Sequence, residues 1–262
     1  MKKIGVLFFL IVLISQVFSI GQAFEKLRDM DVESVAMGFT KNYGFNYPTS
    51  TKFEIEGLYS ELFGLGLIYN SEKIRFFLPR VNFSLGTESF WDKDPFDTIG
   101  YSEKSILLGA NCKVFNNLSL GASLKNEKYQ LEGKSIGNGW VTAFEIGIGP
   151  RTCKYGNYNI GIRTENAFRK FDTGREEKKP LGTALNFGFK NSLITLAMNI
   201  NKDEIQLGTE YCVSKNFKLR AGLNGKEPTF GLGVKLNRLD FNYAYWLSEA
   251  GATQLLGTAY SF

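Results

Sequence analysis

Four carboxylates, Glu145, Glu165, Glu210 and Asp240, sit in alternating apolar and polar runs, where an enzyme with only carboxylates would keep its acid and base. Cations stand near them: Arg163, Lys218, Arg220 and Lys235. Opposite charges on adjacent strands stabilise strand pairing. Glu210 with Arg220, and Lys235 with Asp240, fall on neighbouring segments and are expected to form such pairs. The chain has no histidine. That removes imidazole acid–base catalysis, Ser–His and Cys–His nucleophiles, and imidazole metal ligation. The three cysteines, Cys112, Cys153 and Cys212, are an odd, widely spaced set. They match neither a disulfide framework nor a zinc pattern and read as small apolar residues. Asp92, Asp94 and Asp97 in "WDKDPFD" loosely follow calcium-loop spacing, but the glycine and closing glutamate are missing, so the stretch reads as an acidic external loop. "GIGPR" and "GLGVK" open no helix and are not phosphate cradles. No catalytic residue, metal site or cofactor is expected.

The elements that position these charges are strands. The composition has 28 Gly, 6 Pro and 15% aromatic residues, which favours pleated segments joined by tight turns. From Val32 onward the dominant period is two. In "DEIQLGTEYCV", Ile205, Leu207, Thr209, Tyr211 and Val213 share one face, and Gln206, Gly208, Glu210 and Cys212 share the other. "FKLRAGL", "TFGLGVKL", "LDFNYAYW" and "LGTAYSF" repeat the pattern. Roughly twelve to fourteen strands follow from this count. Short polar turns are expected at 70–73, 115–117, 190–192, 214–216 and 237–238. Longer charged loops are expected at 88–100, 126–139, 169–180 and 224–228. Alternation of short and long connections is an outer-membrane barrel habit.

Residues 1–23 combine Lys2 and Lys3, an apolar run from Ile4 to Ile20, and the small residues Gly21 and Ala23. This reads as a cleaved signal peptide, with an N-terminal membrane anchor as the competing reading. Residues 24–262 then form the exported barrel, with 24–31 as a short helix or peg. The net charge of +5 is small and dispersed, which argues against nucleic-acid binding.

Alternation alone does not separate a soluble sandwich from a membrane barrel. In the first the apolar face is the core, and in the second it meets lipid. The export signal, the nearly pure apolar faces and the aromatics toward strand ends (Phe217, Phe230, Tyr245, Tyr260 and Phe262) favour the second. The expected fold is therefore all-β: a transmembrane antiparallel up-and-down β-barrel of about 12–14 strands in the bacterial outer membrane. Glu145, Arg163, Glu210, Lys218, Arg220, Lys235 and Asp240 then face the lumen. The last strand should pair with the first, placed near Val32–Thr40, so that no edge meets lipid.

The stretch from Ile194 to Phe262 resembles the C-terminal part of the PorV/PorQ family of bacterial outer-membrane proteins, a branch of the FadL-like barrels. "LGTEY" (207–211), "KLRAGL" (218–223), "GLGVKL" (231–236), "LDFNYAY" (239–245) and "LGTAYSF" carry the likeness, and "NLSLGASLK" (117–125) fits the family's middle. The family's Gly-rich opening is reduced here to "SVAMGFTKNYGFNYPTS", which puts the N-terminal plug in question. Tyr260 and Phe262 resemble the signal read by the barrel insertion machinery. The resemblance implies passage or holding of a small, hydrophobic molecule without catalysis. The alternative is an accessory barrel that partners an envelope or secretion complex without transport. The partners implied are the outer-membrane lipid bilayer, the insertion machinery and that envelope complex.

Overall fold

A computed structural model describes residues 35, 37, 52–62, 66–92 and 100–262, without the side chains of 178–181. The segments read as signal peptide (1–23) and peg (24–31), and Asp94 and Asp97, lie outside the described residues. Fourteen strands follow one another: β1 (Phe53–Leu62), β2 (Leu67–Phe77), β3 (Val81–Asp92), β4 (Tyr101–Phe115), β5 (Leu118–Leu131), β6 (Lys134–Cys153) and β7 (Gly156–Phe171). The second half is β8 (Glu176–Lys190), β9 (Ile194–Ile200), β10 (Ile205–Cys212), β11 (Phe217–Asn224), β12 (Glu227–Leu236), β13 (Leu239–Ser248) and β14 (Gly251–Ser261). Each strand pairs antiparallel with its sequence neighbours, and β1 pairs with β14, so the sheet is a closed up-and-down barrel. Closure leaves no strand edge facing lipid.

The first strand is Phe53–Leu62, not Val32–Thr40. Gly57 sits opposite Thr258, and Glu54 opposite Ser261. Within the expected strand region, Val35 and Met37 are instead fully buried, and Val35 packs against inward-facing side chains of β1, β2, β3, β13 and β14. Val35 thus lies in the lumen rather than out toward lipid.

Parity sorts the faces. Leu256, Tyr260 and Phe262 on β14, Phe230 and Leu232 on β12, and Trp140, Phe144, Ile146 and Ile148 on β6 are all exposed on the outer wall. Ser60, Lys125, Glu127, Arg169, Glu210 and Arg220 are buried on the inner one. A soluble sandwich would show the reverse.

Two of the long loops expected from sequence are strand. Residues 126–131 complete β5 and 134–139 open β6, with only Glu132 and Gly133 between them. Both have positive φ (50° and 75°), the geometry that suits a two-residue hairpin. Residues 169–171 and 176–180 likewise extend β7 and β8, and 88–92 extends β3. The expected turn at 70–73 is the middle of β2. At 70–73 the outward Asn70 and Glu72 hide the alternation; for the ends of β5, β6, β7 and β8 the reason is shared. About 9–11 tilted residues cross a membrane, while β4 to β8 have 14 to 20 each. Beyond the apolar band the outward positions Lys104, Asn126, Lys128, Asn138 and Lys170 become polar, while the inward ones were polar already. Alternation then disappears from the sequence although the strand continues.

The outer wall carries a polar patch on its first strands. On β2 and β3, Glu72 faces Thr87 and Asn70 faces Ser89, with Ile74–Leu85 on one side and Ile68–Trp91 on the other. Glu72 is exposed there. Replacing it by leucine is expected to stabilise the barrel by about 1–2 kcal/mol, since a lipid-facing carboxylate costs somewhat less than a lysine or arginine. Urea unfolding in lipid vesicles measures this. An unchanged or lower midpoint would mean that Glu72 does not meet hydrocarbon.

Candidate functional site

The candidate site is the barrel interior, where two of the polar networks among the described residues and a buried apolar cluster, called the chamber below, stand out. The first network lies on the tall side. Lys125 Nζ is 2.5 Å from Glu88 Oε2 and 4.0 Å from Glu127 Oε1. Arg169 Nε donates to Glu127 Oε2 at 2.9 Å, Tyr129 Oη donates to Glu127, and Ser105 Oγ donates to Glu88 Oε2 at 3.3 Å. The two close ion pairs do not join adjacent strands. Lys125 on β5 reaches across β4 to Glu88, and Arg169 on β7 reaches across β6 to Glu127. The residues crossed are small: Ser105 lies between Glu88 and Glu127 in register, and Gly139 lies between Glu127 and Arg169. A Cβ on Gly139 would stand 2.9 Å from Arg169 Cγ and 3.2 Å from Glu127 Oε2.

The second network lies on the short side. Arg220 Nε donates to Glu210 Oε2 at 2.8 Å and its Nη1 donates to Asn242 Oδ1 at 2.8 Å, while Lys218 Nζ is 3.2 Å from Glu210 Oε1. Here Arg220 on β11 passes over Gly233 of β12 to reach β13, and a Cβ at Gly233 would stand 2.8 Å from Arg220 Nη1. At Gly139 and Gly233, therefore, the inward glycines do not leave open lumen. They are lanes in which long cations lie flat.

The remaining residues singled out from sequence fall on the same wall. Lys235 Nζ is 3.3 Å from Asp240 Oδ2 in a half-exposed pair near the end of the barrel that carries Phe262. Arg163 stands opposite Glu145 and pairs with Glu165 at 3.1 Å. Tyr260 and Phe262 are on the outer wall, their rings 4.6 Å apart, and Phe262 also stacks on Phe53 at 5.1 Å. Sequence reasoning missed Glu88, Glu127 and Arg169, because 88–100, 126–139 and 169–180 read as charged loops, and with them the partners of Lys125. Cys112, Cys153 and Cys212 are free thiols. Among the described residues no three His, Cys, Asp or Glu side chains converge as a metal site.

The apolar chamber lies toward the other end. Leu58 and Leu62 of β1, Tyr69 of β2, Phe90 of β3, Trp246 of β13 and Leu255 of β14 all turn inward and are almost wholly buried. Val35 fills the space between them. Trp246 Nε1 donates to Glu227 Oε2 at 3.2 Å, which fixes the indole plane. Buried aromatics inside a lumen otherwise lined by amides and ion pairs make a patch suited to an apolar guest.

This chain has solved relatives in shape. The Pseudomonas putida toluene transporter TodX superposes with a TM-score of 0.65 at 10% identity, covering 90% of this chain and 99% of that one. The shared fold is the TodX barrel. A TodX deltaS2 variant, a monoaromatic hydrocarbon channel, gives 0.63 at 11% identity over 88% of this chain and 98% of that one. The CymD monoaromatic hydrocarbon channel gives 0.55 at 12% identity over 88% and 97%. No protein-family model matches the sequence and no curated protein matches it. These neighbours are a toluene transporter and monoaromatic hydrocarbon channels, and the likeness is one of fold.

Proposed function

We infer that this protein is a bacterial outer-membrane channel of the FadL-like kind that passes or holds a small hydrophobic molecule without chemical change to it. The observation that carries this reading is the buried apolar cluster of Leu58, Leu62, Tyr69, Phe90, Trp246 and Leu255 inside a closed barrel. The resemblance to hydrocarbon channels supports it. An apolar guest gains by leaving water for this chamber, while the internally paired charges give the lumen no strong preference for either sign of ion. The end carrying Phe262 and the short turns faces the periplasm in this reading, and the tall β4–β8 side rises from the outer surface.

Trp246 reports on the guest. With Trp91 and Trp140 replaced by phenylalanine, titration with a monoaromatic hydrocarbon is expected to quench or shift the remaining indole emission. A Leu58→Asn change in the chamber should weaken that binding by roughly tenfold, the cost of an uncompensated buried amide. Emission indifferent to the hydrocarbon would sink the reading.

The second reading, an accessory barrel of an envelope or secretion complex, draws on a different observation. Val35 and Met37 are wholly buried, and Val35 already occupies the chamber. A barrel that never releases this segment would bind no guest. Val35→Trp should then leave any partner assembly intact, whereas it should block a channel.

A further inference from the structure

Beside the chamber runs a row of side-chain amides with unmet hydrogen-bonding capacity. In register across four consecutive strands stand Asn186 (β8), Asn199 (β9), Gln206 (β10) and Asn224 (β11), all on the inner wall. At one end the row is satisfied. Gln206 Nε2 donates to Asn224 Oδ1 at 2.9 Å, and Asn224 Nδ2 donates to Glu227 Oε2 at 3.1 Å. Glu227 in turn accepts from Trp246. Then the chain of bonds breaks. Gln206 Oε1, Asn199 Oδ1 and both polar atoms of Asn186 are buried without a partner. Asn186 is 4% exposed and Gln206 is 5% exposed. A buried polar atom without a partner is costly, so four of them on three side chains of one row call for an explanation.

The neighbouring inward row supplies it. Directly beside the amides run Gly188, Ala197, Gly208 and Gly222, and the row continues through Thr229 to Trp246. The next row holds Thr195, Glu210 and Arg220. By side-chain size, small residues between two rows of longer polar ones outline a trough. It crosses four strands at about 4.8 Å each, roughly 14 Å of wall, and it leads to the aromatic chamber. Amides offer donors and acceptors but no charge, and the charges on the far bank already answer one another.

We propose that the trough binds the hydroxyl-rich, neutral head of an amphiphile whose apolar body sits against Trp246. The substrate class is then an aryl or alkyl glycoside-like molecule of about disaccharide head size rather than a plain hydrocarbon. This rests on the chamber reading above and adds a polar half to it.

The test uses the full barrel in lipid nanodiscs with Trp91→Phe and Trp140→Phe. Two nitroaryl quenchers of Trp246 are compared, 4-nitrophenyl β-maltoside and 4-nitrotoluene. The maltoside is expected to bind more tightly. The double variant Asn186→Leu/Asn199→Leu should weaken the maltoside roughly tenfold and leave nitrotoluene unchanged. Heat-modifiable migration checks that the variant is folded, and Gly208→Leu, which fills the trough floor, should reproduce the selective loss. Nitrotoluene binding with a maltoside affinity indifferent to these changes overturns the trough and spares the chamber. Maltoside binding that needs the amides, without nitrotoluene binding, supports the trough and removes the hydrocarbon reading. Binding of neither overturns both.

Discussion

An Arg220→Met barrel is expected to unfold about 3 kcal/mol more easily than the parent, the low end of the range for stranding a buried charge. Arg220 and Glu210 side chains are 1% and 2% exposed, and removal of the guanidinium leaves a carboxylate in the wall with Lys218 as its remaining ion-pair partner. That lysine, a third exposed, keeps the loss from reaching the top of the range. Asn242 loses its donor as well. The double change Glu210→Leu/Arg220→Met should recover most of the loss, because a well-packed apolar pair of similar volume commonly replaces a buried ion pair at little cost. Urea midpoints of the two singles and the double form the measurement. Additive losses, with no recovery in the double, would show that the two side chains do not depend on each other.

A larger effect of opposite sign is expected at the seam. Gly57 of β1 and Thr258 of β14 face each other on the outer wall, and a Cβ placed on Gly57 would stand 3.8 Å from Thr258 Oγ1 with nothing nearer. Cysteines at these two positions, with Cys112, Cys153 and Cys212 changed to serine, should oxidise to a disulfide without strain in the wall. The closed loop spans some two hundred residues, so loss of unfolded-state entropy amounts to about 5 kcal/mol at most. The oxidised chain should resist urea well beyond the reduced one and should migrate anomalously on a denaturing gel until reduced. Failure to crosslink would mean that β1 and β14 do not meet.

How much of this was legible beforehand depends on what each face of a strand touches. From β9 to β14 one face meets lipid and the other a polar lumen, so alternation is clean and the strands could be read directly from "LGTEY", "GLGVKL" and "LDFNYAY". From β3 to β8 the strands outgrow the apolar band. Both faces turn polar there, and "NEKYQLEGKSIGNG" looked like a loop though it is a hairpin with a two-residue turn. The pairs Glu210–Arg220 and Lys235–Asp240 were readable because their partners are separated only by a short connection. Glu88–Lys125 and Glu127–Arg169 were not, because each jumps a strand and relies on Ser105 or Gly139 to let it pass.

By itself, then, the sequence determined an all-β chain with an apolar outside and a polar inside, because period-two patterning records which environment each face must match. It also excluded imidazole chemistry outright. Only the tertiary structure decided that the barrel closes on Phe53–Leu62, that Val35 lies inside it, and that the glycines beneath Arg169 and Arg220 are filled lanes. Those outcomes depend on register between strands far apart in the chain. Register is set by the whole ring at once, and no local pattern encodes it.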